Sequence, residues 1–283
     1  MNVRTLVDFI VEVLYVTSFD RDMYAATGVH LLDSFVSSGT QGTLLCCSEG
    51  GLANQLSSPD RAIVSYDLDS SEFLRTWLEA NRDIIPIELG GQAQPCTCPG
   101  QRDPWGIHVE RCPYHWFNKN ASRWFRKVVS LEHAMRCRTA DALIWIDCDC
   151  RFKKGVASEF WADLFGDAVV LYHKGPARSV VESGVLAIRL DELGRQFLDC
   201  VLDMYRSGSF RNEVRWDDGY IVGQVILRNP GVPSKDLASR GSSFDPVAPP
   251  REYKFGFVLP DSPIGEYIDH FKGVHGAVLR LMR

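Results

Sequence analysis

Three things are missing from this sequence of 283 residues, and each absence removes a class of protein. The first is an excess of positive charge. Lysine and arginine number 31 against 36 acidic residues, for a net charge of −5, so the surface is not built wholesale for nucleic acid, and only a local basic groove is left open. The second is a long apolar run. The stretch from Leu6 to Val16 is broken by Asp8 and Glu12 and is followed by no small-residue cleavage site, which makes it a poor signal peptide and too short for a membrane span. The third is a disulfide framework. Cysteines number 9, an odd count, and Cys46, Cys47, Cys137, Cys148 and Cys200 sit in apolar segments, as reduced and mostly buried thiols do. The expectation is a soluble, cytoplasmic protein without a membrane span, long enough to bury a substantial core.

What is present is an alternation of strand-like and helix-like segments. Residues 11–17 are rich in β-branched and aromatic side chains and end in Thr17-Ser18, which reads as a buried strand and its loop. Met23, Leu31, Leu32 and Phe35 then recur at helical spacing through 23–36. Short strands follow at 43–47 and 62–66, the second leading through Asp67 into a helix over 71–81 capped by Asp69 or Ser70. The clearest helix covers 118–137, with a basic face that includes Arg126 and Lys127, and it runs into the strand 142–146. A helix ending at Phe165, strands at 167–172 and 180–190, and a helix from its cap Asp191 to Tyr205 come next. Asp217 and Asp218 open one more helix, 229–250 reads as a flexible loop, and 251–259 as a late strand. This order predicts an α/β fold, a mixed central sheet flanked by helices, in a single domain over 1–283.

Between 84 and 117 the periodicity disappears and proline, glycine and cysteine dominate, the mark of an insertion. Cys96, Cys98, Cys112 and His115 lie within it, with His108 as a spare donor. Thiolates and imidazole are what a structural Zn²⁺ takes, while an irregular loop with incidental thiols fits the same residues.

The chemistry is expected at Asp147-Cys148-Asp149. An apolar strand that ends in two aspartates delivers hard oxygen donors to the carboxyl edge of a sheet, where open α/β sheets bind their ligands. Such donors suit Mn²⁺ or Mg²⁺; a turn cap at Asp147 and a solvated Asp149 are the plain alternative. Glu182-Ser183-Gly184 brings an acid, a hydroxyl and a close-approach glycine to the mouth of another strand. Near the end, His270, Lys272 and His275 cluster with two glycines.

Taken together, the strand ending in Thr17-Ser18, the Asp-x-Asp strand, the acid-Ser-Gly strand, the Asp-Asp-Gly helix start and the late His-Phe-Lys-Gly resemble GT-A fold nucleotide-sugar glycosyltransferases of the family 8 type found in bacteria and phages. The resemblance implies a Rossmann-like catalytic domain that moves a sugar from a nucleotide-diphosphate donor, UDP being the favoured nucleotide, to an acceptor hydroxyl. It implies Asp147, Asp149 and His270 as ligands of Mn²⁺ or Mg²⁺, with Asp147 also facing the ribose and His275 competing with His270. It places Thr17, Ser18 and Asp67 around the base, and Arg126, Lys127 and Lys272 along the diphosphate. Asp217 or Asp218, then Glu182, would serve as the base for an inverting transfer; a retaining transfer has no need of one there. The acceptor is left as a glycan, a lipid-linked sugar, a protein side chain or a hydroxylated base in DNA. A zinc-organised binding module and a nucleotidyltransferase are the competing functions.

Overall fold

The computed structural model describes residues 12–58, 60, 62–82, 121–137, 139–174, 180–213, 215–239, 259 and 262–271. The Cys/His insertion and its candidate zinc ligands Cys96, Cys98, Cys112 and His115 therefore lie outside the described residues, as do Lys272, His275 and all but Leu259 of the strand expected over 251–259.

Among the described residues, seven strands form the main sheet: β1 (Val13–Phe19), β2 (Thr43–Ser48), β3 (Ile63–Asp67), β4 (Ala142–Ile146), β6 (Val170–His173), β7 (Glu182–Arg189) and β8 (Ser234–Asp236). Their order is β3-β2-β1-β4-β7-β6-β8. The first four are mutually parallel, whereas β7 runs antiparallel to both β4 and β6. A separate two-stranded ribbon joins β5 (Cys150–Phe152) to β9 (Ile268–His270). Parallel strands covered on both faces need apolar side chains on both, which is why β1 and β4 read as nearly unbroken apolar runs.

Alternate residues of each strand feed two cores. Leu14, Val16, Leu45, Leu143 and Trp145 face one side, where they meet α2 (Glu72–Ala80), α3 (Ala121–Cys137), α5 (Glu192–Arg206) and α6 (Asp218–Arg228). Val13, Tyr15, Leu44, Ile144 and Ala187 face the other, against α1 (Val29–Ser38) and α4 (Ser158–Phe165). Buried Tyr15 packs edge-on against Phe35 and Trp161 and accepts a hydrogen bond from the Trp161 indole at 2.8 Å, so its hydroxyl is satisfied inside the core. Of the thiols expected to be buried, Cys46, Cys47 and Cys148 are buried and free, whereas Cys200 is only half-buried; Cys150 is buried and free as well.

Several local readings shift. The first strand runs two residues later than the sequence indicates, to Phe19, and Asp20 then caps a turn that widens into a π-helical stretch over Tyr24–Gly28 before α1. That helix stops at Gly39, whose φ of 72° is the left-handed geometry glycine adopts without strain. The cap of α2 is neither Asp69 nor Ser70 but Ser71, whose hydroxyl accepts from Leu74 N at 3.2 Å. Asp69 instead accepts from Gly50 N at 2.7 Å, because the β2 and β3 loops pack together and a tertiary donor competes for it, while the Ser70 hydroxyl donates locally to the Asp67 carbonyl. The stretch read as a loop from 229 contributes β8, which pairs in parallel with β6. Its polar sequence conceals a strand because an edge strand needs only one paired side.

Candidate active site

The parallel half of the sheet gathers the carboxyl ends of β1, β2, β3 and β4 on one edge, and the reversed direction of β7 places its beginning on that edge too. Asp147 therefore leaves β4 beside Gly184, to whose carbonyl it donates its N–H at 2.8 Å. A tight turn follows, with Cys150 N bonded to the Asp147 carbonyl at 3.0 Å, and it aims Asp149 back over the same edge. The ribbon supplies the distant partner. Cys150 stands opposite His270 in the β5–β9 pair, and Phe271 N donates to the Asp149 carbonyl at 3.1 Å.

Carboxylates surround the His270 imidazole. Its Nε2 lies 3.2 Å from Asp149 Oδ1 and 3.7 Å from Asp147 Oδ2, while Nδ1 lies 3.5 Å from Glu182 Oε1. Burial alone would lower the imidazole's proton affinity, but the hydrogen bond to Asp149 and the charges of Asp147, Asp149 and Glu182 outweigh it and hold the pKa above its ordinary value. Asp147 and Asp149 keep 27% and 20% of their side chains exposed, against 2% for His270, so the aspartates face outward and the histidine backs them.

Lys127 of α3 is the ammonium of the site. It donates to the Ser183 carbonyl at 2.8 Å, pairs with Asp147 Oδ1 at 3.1 Å and with Asp218, and lies 4.7 Å from the centre of the Trp145 ring. Burial pulls its pKa down, yet Asp147 and Asp218 more than compensate, and it stays charged with a raised value. The Trp145 indole donates to Asp147 as well, at 2.6 Å.

The remaining expected residues divide between this cluster and the scaffold around it. Asp218 belongs to the cluster through Lys127. Asp217 caps α6, accepting from Tyr220 N at 3.1 Å, and pairs with Arg215 at 2.8 Å; burial raises its pKa above the usual carboxylate range, Arg215 opposes that and Asp218 reinforces it. Arg126 makes a two-pronged pair with Glu49 in the β2 loop, one prong at 3.0 Å, which pins that loop to α3. Asp67 caps its own following turn by accepting from Asp69 N at 3.1 Å, and Ser18 stands half-buried at the end of β1. Thr17 is fully buried, with no hydrogen-bond partner for its hydroxyl among the described residues. Sequence reading missed Glu49 and the Trp145 indole. Glu49 sat in plain view in the turn Ser48-Glu49-Gly50-Gly51, but only folding shows that Arg126 is above it.

The donor set suits a hard or borderline divalent ion. Two carboxylates and an imidazole nitrogen at 3.2 and 3.7 Å are close to the spacing of neighbouring ligands around Mn²⁺ or Mg²⁺, about 3 Å for bonds near 2.1 Å. The Cys150 sulfur also lies within 4.8 Å of Asp149 and His270, and burial, then the nearby carboxylates, raise its pKa well above the usual thiol value. Among the described residues, the carboxyl groups of Asp147, Asp149, Asp218 and Glu182 gather around the Lys127 ammonium and the His270 imidazole.

The seven-stranded mixed sheet between helical layers is of the GT-A type. A solved glycosyltransferase structure shares it. The bifunctional glycosyltransferase WbbM superposes with a TM-score of 0.50 at 12% identity, over 94% of this chain and 47% of that one. Mouse xyloside xylosyltransferase 1 gives 0.45 at 13% identity over 80% and 85% of the two chains, and GlyE of Streptococcus pneumoniae TIGR4 gives 0.46 at 12% over 92% and 54%. The chain thus spans about half the length of WbbM and of GlyE, and at 12% identity the likeness to WbbM is one of fold alone. No family model and no curated protein sequence matches the chain. Among the described residues, no helix is long and apolar enough to cross a membrane.

Proposed function

We propose that this chain is a metal-dependent glycosyltransferase that moves a sugar from a nucleotide-diphosphate donor, a UDP-sugar, to an acceptor hydroxyl. The observation that carries the reading is the meeting of Asp147 and Asp149, at the end of β4, with His270 from the far end of the described chain. Asp149 and His270, with Asp147 beside them, would hold Mn²⁺ or Mg²⁺. A bound divalent cation supplies charge neutralisation for the departing nucleotide diphosphate.

The chain's own residues do the rest. Lys127 fixes Asp147 and Asp218 relative to each other and keeps a positive charge at the edge where leaving-group charge accumulates. Arg126, through Glu49, holds the β2 loop against α3, so the wall on the nucleotide side of the site is rigid before the donor arrives. Ser18 and Asp67, at the ends of β1 and β3, stand on the side we assign to the base. Asp218 shares the Lys127 ammonium with Asp147, and we assign it to the acceptor hydroxyl, with Asp217 shaping the helix start that presents it. The acceptor is a glycan, a lipid-linked sugar, a protein side chain or a hydroxylated base in DNA, and duplex binding that weakens steeply with salt would favour the last.

A thermal-shift panel of UDP-, GDP-, CDP-, ADP- and dTDP-sugars with and without Mn²⁺ tests the reading. A donor at 100 times its Kd adds about 2.7 kcal/mol to the folded state, which for a domain of this size raises Tm by about 5 to 10 °C. The expected result is one nucleotide class that shifts Tm only with Mn²⁺. Silence from every nucleotide sugar, together with pyrophosphate release from a nucleoside triphosphate, would replace sugar transfer by nucleotidyl transfer.

A further inference from the structure

The mouth of β7 is built around His270. Gly184 has no side chain, and a Cβ there would lie 2.2 Å from the imidazole Cε1, 2.3 Å from Nδ1 and 2.9 Å from Nε2, so the ring rests directly on the Gly184 backbone. On one side of the ring are Asp147 and Asp149, facing Nε2; on the other is Glu182, with Oε1 3.5 Å from Nδ1. Glu182 and His270 each expose only 2% of their side chains. An acid so enclosed has no room to receive a proton from an incoming hydroxyl, so its proximity to the imidazole needs another purpose.

Imidazole carries two inequivalent nitrogens, and it binds a cation through one of them only if the remaining N–H sits on the other. Here the nitrogen facing the aspartates is Nε2, so an ion held there would take its lone pair and leave the N–H on Nδ1, which faces Glu182. We propose that Glu182 is a positioning residue. It fixes the His270 tautomer and orientation so that the Nε2 lone pair faces the ion held by Asp147 and Asp149, and Gly184 provides the seat. This rests on the metal reading above and reassigns Glu182 from the acceptor side to the back of the metal site. It also gives the Glu-Ser-Gly sequence one explanation: the acid orients the ring, the Ser183 carbonyl accepts from Lys127, and the glycine makes room.

The test is direct Mn²⁺ binding, followed by electron paramagnetic resonance of the free ion, on the whole chain as wild type, E182Q and E182A, with circular dichroism and Tm as checks of folding. The expected result is Mn²⁺ affinity weakened about 10- to 100-fold in E182A, as loss of a carboxylate behind a ligating histidine does elsewhere, with E182Q intermediate. Transfer or donor hydrolysis should recover in both variants at saturating Mn²⁺, because kcat is not what Glu182 supports. If E182A fails to fold, the isosteric E182Q decides, and an unchanged affinity in it overturns the proposal. Unchanged affinity with a kcat loss that Mn²⁺ does not restore returns Glu182 to acid–base chemistry. A wild-type chain that binds no Mn²⁺ overturns the metal reading itself, an outcome separate from wild-type binding that is unaffected by the substitutions.

Discussion

Replacing Lys127 by methionine is the most revealing single perturbation of this fold. The substitution keeps the stem that lies against Trp145 and deletes the charge that Asp147, Asp218 and the Ser183 carbonyl share. Removing one partner of a buried ion pair costs about 3 to 5 kcal/mol, because the other charge stays behind uncompensated. Asp218 is nearly enclosed, but Asp147 is 27% exposed and can recover part of its hydration, so the lower end, about 3 kcal/mol, is the expected loss. That corresponds to a Tm lower by about 6 to 12 °C, or to a matching drop in the urea midpoint at unchanged slope. The sign of the pH dependence follows from the raised lysine pKa. The stabilisation is complete below the free-lysine value of about 10.4 and is lost as pH climbs through the folded value, so the gap between wild type and K127M should be flat from roughly pH 7 to 9 and close in stronger base. K127M/D218N, which removes both charges, should recover much of the loss, with a coupling of about 1 to 3 kcal/mol in a double-mutant cycle. A loss under about 1 kcal/mol, or additive single effects, would refute the claim that this ammonium is a buried bridge.

Two further outcomes follow. Asp149→Asn keeps the shape of the turn but removes a charged donor; Mn²⁺-dependent release of nucleotide diphosphate should fall by about two orders of magnitude or more while Tm stays within about 2 °C of wild type, and a mutant with most of its activity removes Asp149 from the metal set. Gly184→Ala would drive a methyl group into the His270 ring, with strain of about 1 to 3 kcal/mol, and should reduce both Tm and Mn²⁺ affinity; a variant unchanged in both would show that the ring does not sit on this strand.

Much of the fold was legible because its signals are local. The strand read over 142–146 is β4, residue for residue, and Asp191 caps the helix it was expected to cap, accepting from Gly194 N at 2.9 Å. Apolar runs, helical spacing and capping side chains act within a few residues of one another, so one stretch of sequence contains both signal and response. Errors arose where a distant segment entered. Asp69 was a reasonable cap for α2 until the Gly50 amide claimed it, and 234–236 was unremarkable polar chain until β6 offered an edge.

The sequence by itself determined that an apolar strand ends in two aspartates, that a basic helix precedes it, and that acids and a histidine lie further on, because composition and periodicity are properties of the chain alone. Only the tertiary structure decided what these groups do to one another. It turned β7 antiparallel so that Glu182 and Gly184 meet the end of β4, and it carried His270 on the β5–β9 ribbon to within 3.2 Å of Asp149. It also committed Arg126 to Glu49 while its neighbour Lys127 went to Asp147 and Asp218. Strand direction and side-chain pairing are settled by contacts between segments far apart in the chain, where burial makes an unpaired charge costly, and no local pattern encodes which partner will be there to meet it.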